Sequence, residues 1–186
     1  IADLVITSDW ISVQRYRQSG VNAHFLPLPV YIPDYMPEIK GEWDYTRHIG
    51  RQMNCLTIGV IGYGRLGTMY AHYCQAFGSR VLVYDPYKKV DREGLEQVDV
   101  ITTLIQESDI IALHVHVTDE TIGMINADCF KQMKKEVLLV NTSRGDVVNE
   151  SDLVVFLSAN PEARVATDVL ADEIRNRLAS PLLQYA

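Results

Sequence analysis

The chain has 186 residues, of which 47% are hydrophobic and 22% charged, with a formal net charge of −7 and a pI near 5.2. This is the size and make-up of a globular domain with a substantial core. The acidic balance argues against nucleic acid or an anionic membrane as partner, since both favour a basic face, and apolar runs such as Val137–Val140 stop at strand length, too short to cross a bilayer.

In chain order, residues 1–39 read as an N-terminal extension. Ala2–Thr7 has the pattern of a strand and Ile11–Gln18 that of a helix, and Pro27, Pro29, Pro33 and Pro37 make 27–37 an extended linker. The first residues have no basic region of the kind that opens a signal peptide.

Residues 40–186 alternate strand-like and helix-like patterns. Thr57–Ile61 is a short apolar run ending in glycines. Leu66, Met69, Tyr70, Tyr73, Cys74 and Phe77 then follow the rhythm of a helix with one buried face, closed by Gly78. Arg80–Tyr84 is a second strand, Thr103–Glu107 a short helix and Asp109–Val115 a buried strand. Asn126 caps a helix through Met133, Glu136–Asn141 is a strand, and Asn149 caps a helix through Ser158 with Asp152 in its first turn. Arg164–Val169 is the last strand. Strands that are apolar throughout, separated by helices, predict a Rossmann-type α/β domain: a doubly wound parallel sheet with helices on both faces. Cys55, Cys74 and Cys129 form no C-x-x-C pair, so neither a disulfide framework nor a zinc site is indicated, and a reducing cytoplasm is the simplest compartment.

The segment VIGYGRLG, Val60–Gly67, carries the chemistry. Three glycines at this spacing can cradle a pyrophosphate or simply form a tight turn, and their position between a strand and a helix favours the first. Gly62 makes the turn, Gly64 lets the backbone approach an anion, and Gly67 lets the helix pack close to the strand. The amides of Arg65 and Leu66 face the anion at the positive end of the helix dipole. Asp85 ends the second strand, with 17 residues between it and Gly67 (68 to 84), where a carboxylate can accept both hydroxyls of an adenosine ribose and repel a 2′-phosphate. The expected cofactor is NAD, in preference to NADP.

Ligands of open α/β sheets lie beyond the carboxyl ends of the strands. Arg144 follows such an end and suits a carboxylate, although a surface ion pair or helix cap would also explain it. Asp168 can accept from a carboxamide or cap the next helix. Glu173 is either a catalytic carboxylate or an ordinary exposed acid. His114 and His116 share one side of a strand end but have no third ligand in view, so no metal is expected.

Glu42-Trp43, TIGVIGYGRLG, AFGSRVLVYDPY, SDIIALHV, NTSRGDVVN and ATDVLADE, in this order, resemble the NAD-binding domain of the D-isomer-specific 2-hydroxyacid dehydrogenases. The resemblance runs from about Gly41 to the C-terminus and implies residue roles that spacing alone does not. Arg144 would bind the carboxylate and carbonyl of a small 2-hydroxy or 2-keto acid. Glu173 would orient a catalytic histidine and raise its pKa, and Asp168 would face the nicotinamide end of NAD with Thr142 and Ser143 nearby. The family also suggests a homodimer. No histidine follows Glu173, however, and His116 stands where the family usually has proline. The family's catalytic domain is not recognisable in residues 1–39. The chain therefore reads as an NAD-binding domain at 40–186 that binds NAD and turns over little by itself. The alternative is a non-catalytic, NAD-responsive interaction module, which needs only the glycine loop and Asp85.

Overall fold

The computed structural model describes residues Val5–Thr7, Ala23–Phe25 and 50–185. The expected helix at 11–18, the linker at 27–37 and Glu42-Trp43 lie outside the described residues. The chain divides into two compact units, Ile1–Gly50 and Arg51–Ala186. In the first, β1 (Val5–Thr7) and β2 (Ala23–Phe25) pair in parallel.

The second unit holds a six-stranded sheet, all parallel. Its strands are β3 (Thr57–Ile61), β4 (Arg80–Tyr84), β5 (Leu95–Gln97), β6 (Ile110–Leu113), β7 (Leu138–Asn141) and β8 (Arg164–Thr167), in the order β5-β4-β3-β6-β7-β8. The chain starts in the middle at β3, winds outward to β5, then returns to β6 on the other side of β3. That reversal opens a crevice between the ends of β3 and β6.

Alternation along the strands sorts their side chains onto two faces. Ile58, Val60, Val81 and Val83 pack with Ala71 and Cys74 of helix α1 (Arg65–Ala76). Ile61, Leu82, Ile111, Leu113 and Leu139 face the other way. They pack with Leu104 and Ile105 of α2 (Ile101–Glu107), Phe130 of α3 (Ala127–Phe130), and Leu153 and Leu157 of α4 (Glu150–Ala159). Helices thus cover both faces, as the continuous apolar strands require. Two short helices, α5 (Glu173–Asn176) and α6 (Leu182–Tyr185), complete the described chain.

The caps follow sequence logic. Gly78 has φ +86° and closes α1 with paired bonds from Gly78 N to Gln75 O and from Ser79 N to Cys74 O. The Asn126 carboxamide oxygen accepts from the Asp128 amide at 3.0 Å, and that of Asn149 from Asp152 at 3.1 Å. Asp152 also accepts from the Ala127 amide at 2.9 Å, tying α4 to α3.

Several expectations need correction. The buried face of α1 is Gly67, Ala71 and Cys74, whereas Leu66, Met69, Tyr73 and Phe77 are exposed. The helix lies so close to the sheet that only small residues fit beneath it. The strands β6 and β8 are shorter than their apolar runs, ending at Leu113 and Thr167, where the pairing partners β3 and β7 end at Ile61 and Asn141. The helix capped by Asn126 ends at Phe130 and passes into turns. β5 gave no signal, since its three residues carry one apolar side chain.

Candidate nucleotide-binding site

The loop between β3 and α1 is built by exclusion. Gly62 has φ +94°, and a Cβ there would lie 2.6 Å from the His114 carbonyl oxygen. A Cβ on Gly67 would lie 1.9 Å from the Gly62 carbonyl oxygen, so this glycine sets the close approach of helix to strand. Gly64 differs from both. Its backbone is extended, and a Cβ would meet nothing within 4 Å. The protein's own packing does not need a glycine there, and the open space lies where an approaching anion would come.

Gly64 caps α1 without a side-chain acceptor, so the first amides of the helix point outward unclaimed. The positive end of the helix dipole reinforces them. Amides of this kind, with room above Gly64, fit a pyrophosphate.

Asp85 follows β4, and backbone donors surround its carboxylate. Oδ2 accepts from the Tyr63 amide at 2.8 Å, and Oδ1 from Tyr87 at 2.9 Å and Lys88 at 3.0 Å. A carboxylate has about four acceptor positions. Three pin the glycine loop and the turn after β4, which leaves one, and the negative charge, to face a ligand.

The crevice bounded by these residues has a volume of about 870 Å³ and is lined by Gly62, Gly64, Arg65, Asp85, His114 and the loop from His116 to Thr121. Tyr87 donates its hydroxyl to Glu120 across its mouth. His114 forms part of the floor, with its ring 5.1 Å from that of Tyr70 and Nε2 buried without a partner. Burial holds its pKa below the ordinary value of 6.5, so the ring is neutral at physiological pH. His116 is exposed. Among the described residues, no group of three or more His, Cys, Asp or Glu side chains is placed to hold a metal ion.

The remaining candidates lie further along the same sheet margin, outside this crevice. After β7, the buried Asn141 shapes the turn. Its oxygen accepts from the Ser143 amide at 3.1 Å and hydroxyl at 2.9 Å, and its nitrogen donates to the Arg144 carbonyl at 2.9 Å. Thr142 and Arg144 are thereby left exposed. The Arg144 guanidinium donates to the Ser143 carbonyl at 2.6 Å and meets no carboxylate among the described residues. Asp168, just beyond β8, and Glu173, at the start of α5, are exposed. Sequence reasoning missed Asn141, although an asparagine at a strand end before a turn is a recognisable signal. It also missed Tyr87 and Glu120, for which spacing offered none.

A family model described as the NAD-binding domain of D-isomer specific 2-hydroxyacid dehydrogenases matches residues 32–185. The D-3-phosphoglycerate dehydrogenase of Archaeoglobus fulgidus is 39% identical over 138 residues, 72% of this chain and 26% of that protein. The hydroxypyruvate reductase of Thermotoga maritima is 35% identical over 146 residues, 76% of this chain and 47% of that protein. The chain thus spans less than half the length of these two relatives. Among solved structures, the D-lactate dehydrogenase of Aquifex aeolicus, complexed with NAD and lactic acid, superposes with a TM-score of 0.64 and 29% identity, covering 91% of this chain and 58% of that one. The NAD complex of the Staphylococcus aureus formate dehydrogenase gives 0.70 and 26%, covering 94% and 48%.

Proposed function

The chain belongs to the D-isomer specific 2-hydroxyacid dehydrogenases, as their NAD-binding domain, and from that premise we propose how its residues divide the work. The observation that carries the proposal is the pairing of the open glycine loop with Asp85 at the end of the neighbouring strand. Gly62, Gly64 and Gly67 shape the cradle, and the Arg65 and Leu66 amides hold the pyrophosphate. Asp85 takes a ribose hydroxyl through its remaining acceptor position, and its charge repels a 2′-phosphate, so NAD is preferred over NADP.

Thr142, Ser143 and Asp168 serve the nicotinamide end. Arg144, whose guanidinium has no carboxylate partner among the described residues, grips the carboxylate and carbonyl of a small 2-hydroxy or 2-keto acid through its planar fork. Glu173 orients a histidine that moves the proton at the substrate oxygen. Bound NAD supplies the acceptor for hydride, or NADH the donor. We also propose that this chain by itself binds NAD(H) and turns over little. We further propose that it works as a homodimer in the cytoplasm, with residues 40–186 as the nucleotide-binding domain and 1–39 as an N-terminal extension.

The test is a side-by-side fluorescence titration with NADH and NADPH. Saturable binding of NADH with clear preference over NADPH is expected. Binding of neither, or equal binding of both, overturns the assignment of the loop or of Asp85 respectively.

A further inference from the structure

Glu150 opens α4 and is only 7% exposed, and no cation faces it among the described residues. Its Oε1 accepts from the Ala171 amide at 2.7 Å, and its Oε2 from the Ser180 hydroxyl at 2.6 Å, with Ser180 itself 4% exposed. Taking a carboxylate out of water is costly, and an apolar residue of similar size would avoid the cost. What the carboxylate provides is a tie between α4 and both ends of the segment 171–180.

Two neighbours reinforce it. Asp146 Oδ1 accepts from the Asp172 amide at 3.2 Å, and a Cβ on Gly145 would lie 1.9 Å from the Leu170 carbonyl carbon. Asp172 has φ +49° and is the one non-glycine residue among those described with positive φ. A conformation of that kind persists only where its surroundings impose it. Gly145, Asp146 and Glu150 follow Arg144 in sequence. The residues they pin, Leu170, Ala171 and Asp172, lie between Asp168 and Glu173.

We propose that Glu150 is a positioning residue, whose buried carboxylate fixes the turn bearing Asp168 and Glu173 against the turn bearing Arg144. The proposal rests on the reading of those three residues as the nicotinamide and substrate end of an NAD site. Glu150 acts on the nicotinamide half of the cofactor through that turn and leaves the adenosine half, held by the glycine loop and Asp85, untouched.

The experiment titrates this chain with NADH and with ADP-ribose, which lacks the nicotinamide, in the wild type and in Glu150→Ala, Glu150→Gln and Ser180→Ala. Glu150→Ala is expected to weaken NADH by at least about tenfold while ADP-ribose stays within about twofold. Glu150→Gln keeps NADH binding near the wild-type value, because its amide oxygen accepts from Ala171 and its nitrogen can donate to the Ser180 hydroxyl. If Glu150→Ala does not fold, Ser180→Ala decides alone: it must still lose NADH more than ADP-ribose. Equal losses of both ligands, or no loss, overturn the positioning role and leave the NAD reading intact. A wild type that binds neither ligand overturns both.

Discussion

Gly64 and Gly67 stand three residues apart in one loop and answer to different constraints. Gly67 serves the fold, because its missing Cβ is where the Gly62 carbonyl lies. Gly64 has open space around it and φ −72°, which alanine adopts without strain. Gly67→Ala should therefore cost about 3 kcal/mol of stability through backbone collision. Gly64→Ala should cost less than about 1 kcal/mol, the ordinary loss at a helix N-cap, yet weaken NADH by about tenfold or more, because the methyl occupies the space above the amides. Thermal melts and NADH titrations of the two variants check this. An NADH affinity unchanged in Gly64→Ala would place the cofactor elsewhere. Asp85 shows a related division of labour. Three backbone amides converge on it, a role invisible in the sequence because backbone donors carry no residue code.

At the scale of elements, the carboxyl ends of the strands carry the candidate site, and the opposite ends carry a stabilising cluster. Asp109, 9% exposed at the start of β6, accepts from the Thr57 amide at 2.8 Å and pairs with Lys134 at 3.0 Å and Arg51 at 3.3 Å. Burial pushes its carboxyl up, but the Thr57 amide, Lys134 and Arg51 together outweigh this and hold it below the ordinary 3.8. A carboxyl whose folded pKa is depressed contributes stability that is complete above its unfolded pKa and is lost as pH falls through the folded value. Asp109→Asn should thus flatten the acid limb of the stability profile below about pH 4. It should cost about 1 kcal/mol at neutral pH, since Arg51 and Lys134 are half and one-third exposed. Asp109→Ala, which leaves the Thr57 amide unpaired, should cost about 2 kcal/mol. Urea titrations between pH 3 and 7 test the sign, and an unchanged acid limb in Asp109→Asn would refute it.

The same scale shows how far the sequence reaches. Strands such as Thr57–Ile61 and Arg80–Tyr84 were legible because short continuous apolar runs have few other uses in a folded domain, and the caps at Asn126 and Asn149 because their chemistry is local. The inner face of α1 was legible in part: the glycine spacing marked Gly67 and the periodicity Cys74, but closeness to the sheet also selected the small Ala71 and left the apolar Leu66, Met69, Tyr73 and Phe77 exposed. The glycine loop and Asp85 stood out as candidates because their spacing is a local code. The tie from Glu150 to Ala171 and Ser180 spans 21 and 30 residues and exists only in the folded chain.

At the scale of the whole molecule, the winding of the chain across the parallel sheet reverses between β3 and β6, and the crevice draws its walls from both windings: the β3 and β4 ends on one side, the β6 end on the other. The apolar cluster on one face already joins the windings, packing Ile61 and Leu82 with Ile111, Leu113 and Leu139, whereas the buried residues of the other all come from the first winding. A dinucleotide lying in the crevice adds contacts to both windings at once, and those contacts exist only in the folded state. Binding must then raise stability by mass action, by about 2.7 kcal/mol at a ligand concentration a hundredfold above Kd. For a chain of this length, about 2–4 °C per kcal/mol converts this to a rise in Tm of about 5–10 °C. NADH should produce the shift and NADPH at the same concentration a much smaller one. Asp85→Ala should narrow that difference by removing the charge that faces a 2′-phosphate, and Gly64→Ala should cut the NADH shift to about half or less, since tenfold weaker binding leaves about 1.4 kcal/mol at the same ligand concentration, without lowering the unliganded Tm by more than about 4 °C. Scanning calorimetry of the three chains separates the outcomes. Equal shifts from NADH and NADPH in the wild type would remove Asp85 from cofactor selection, and an undiminished NADH shift in Gly64→Ala would remove the glycine loop from the site.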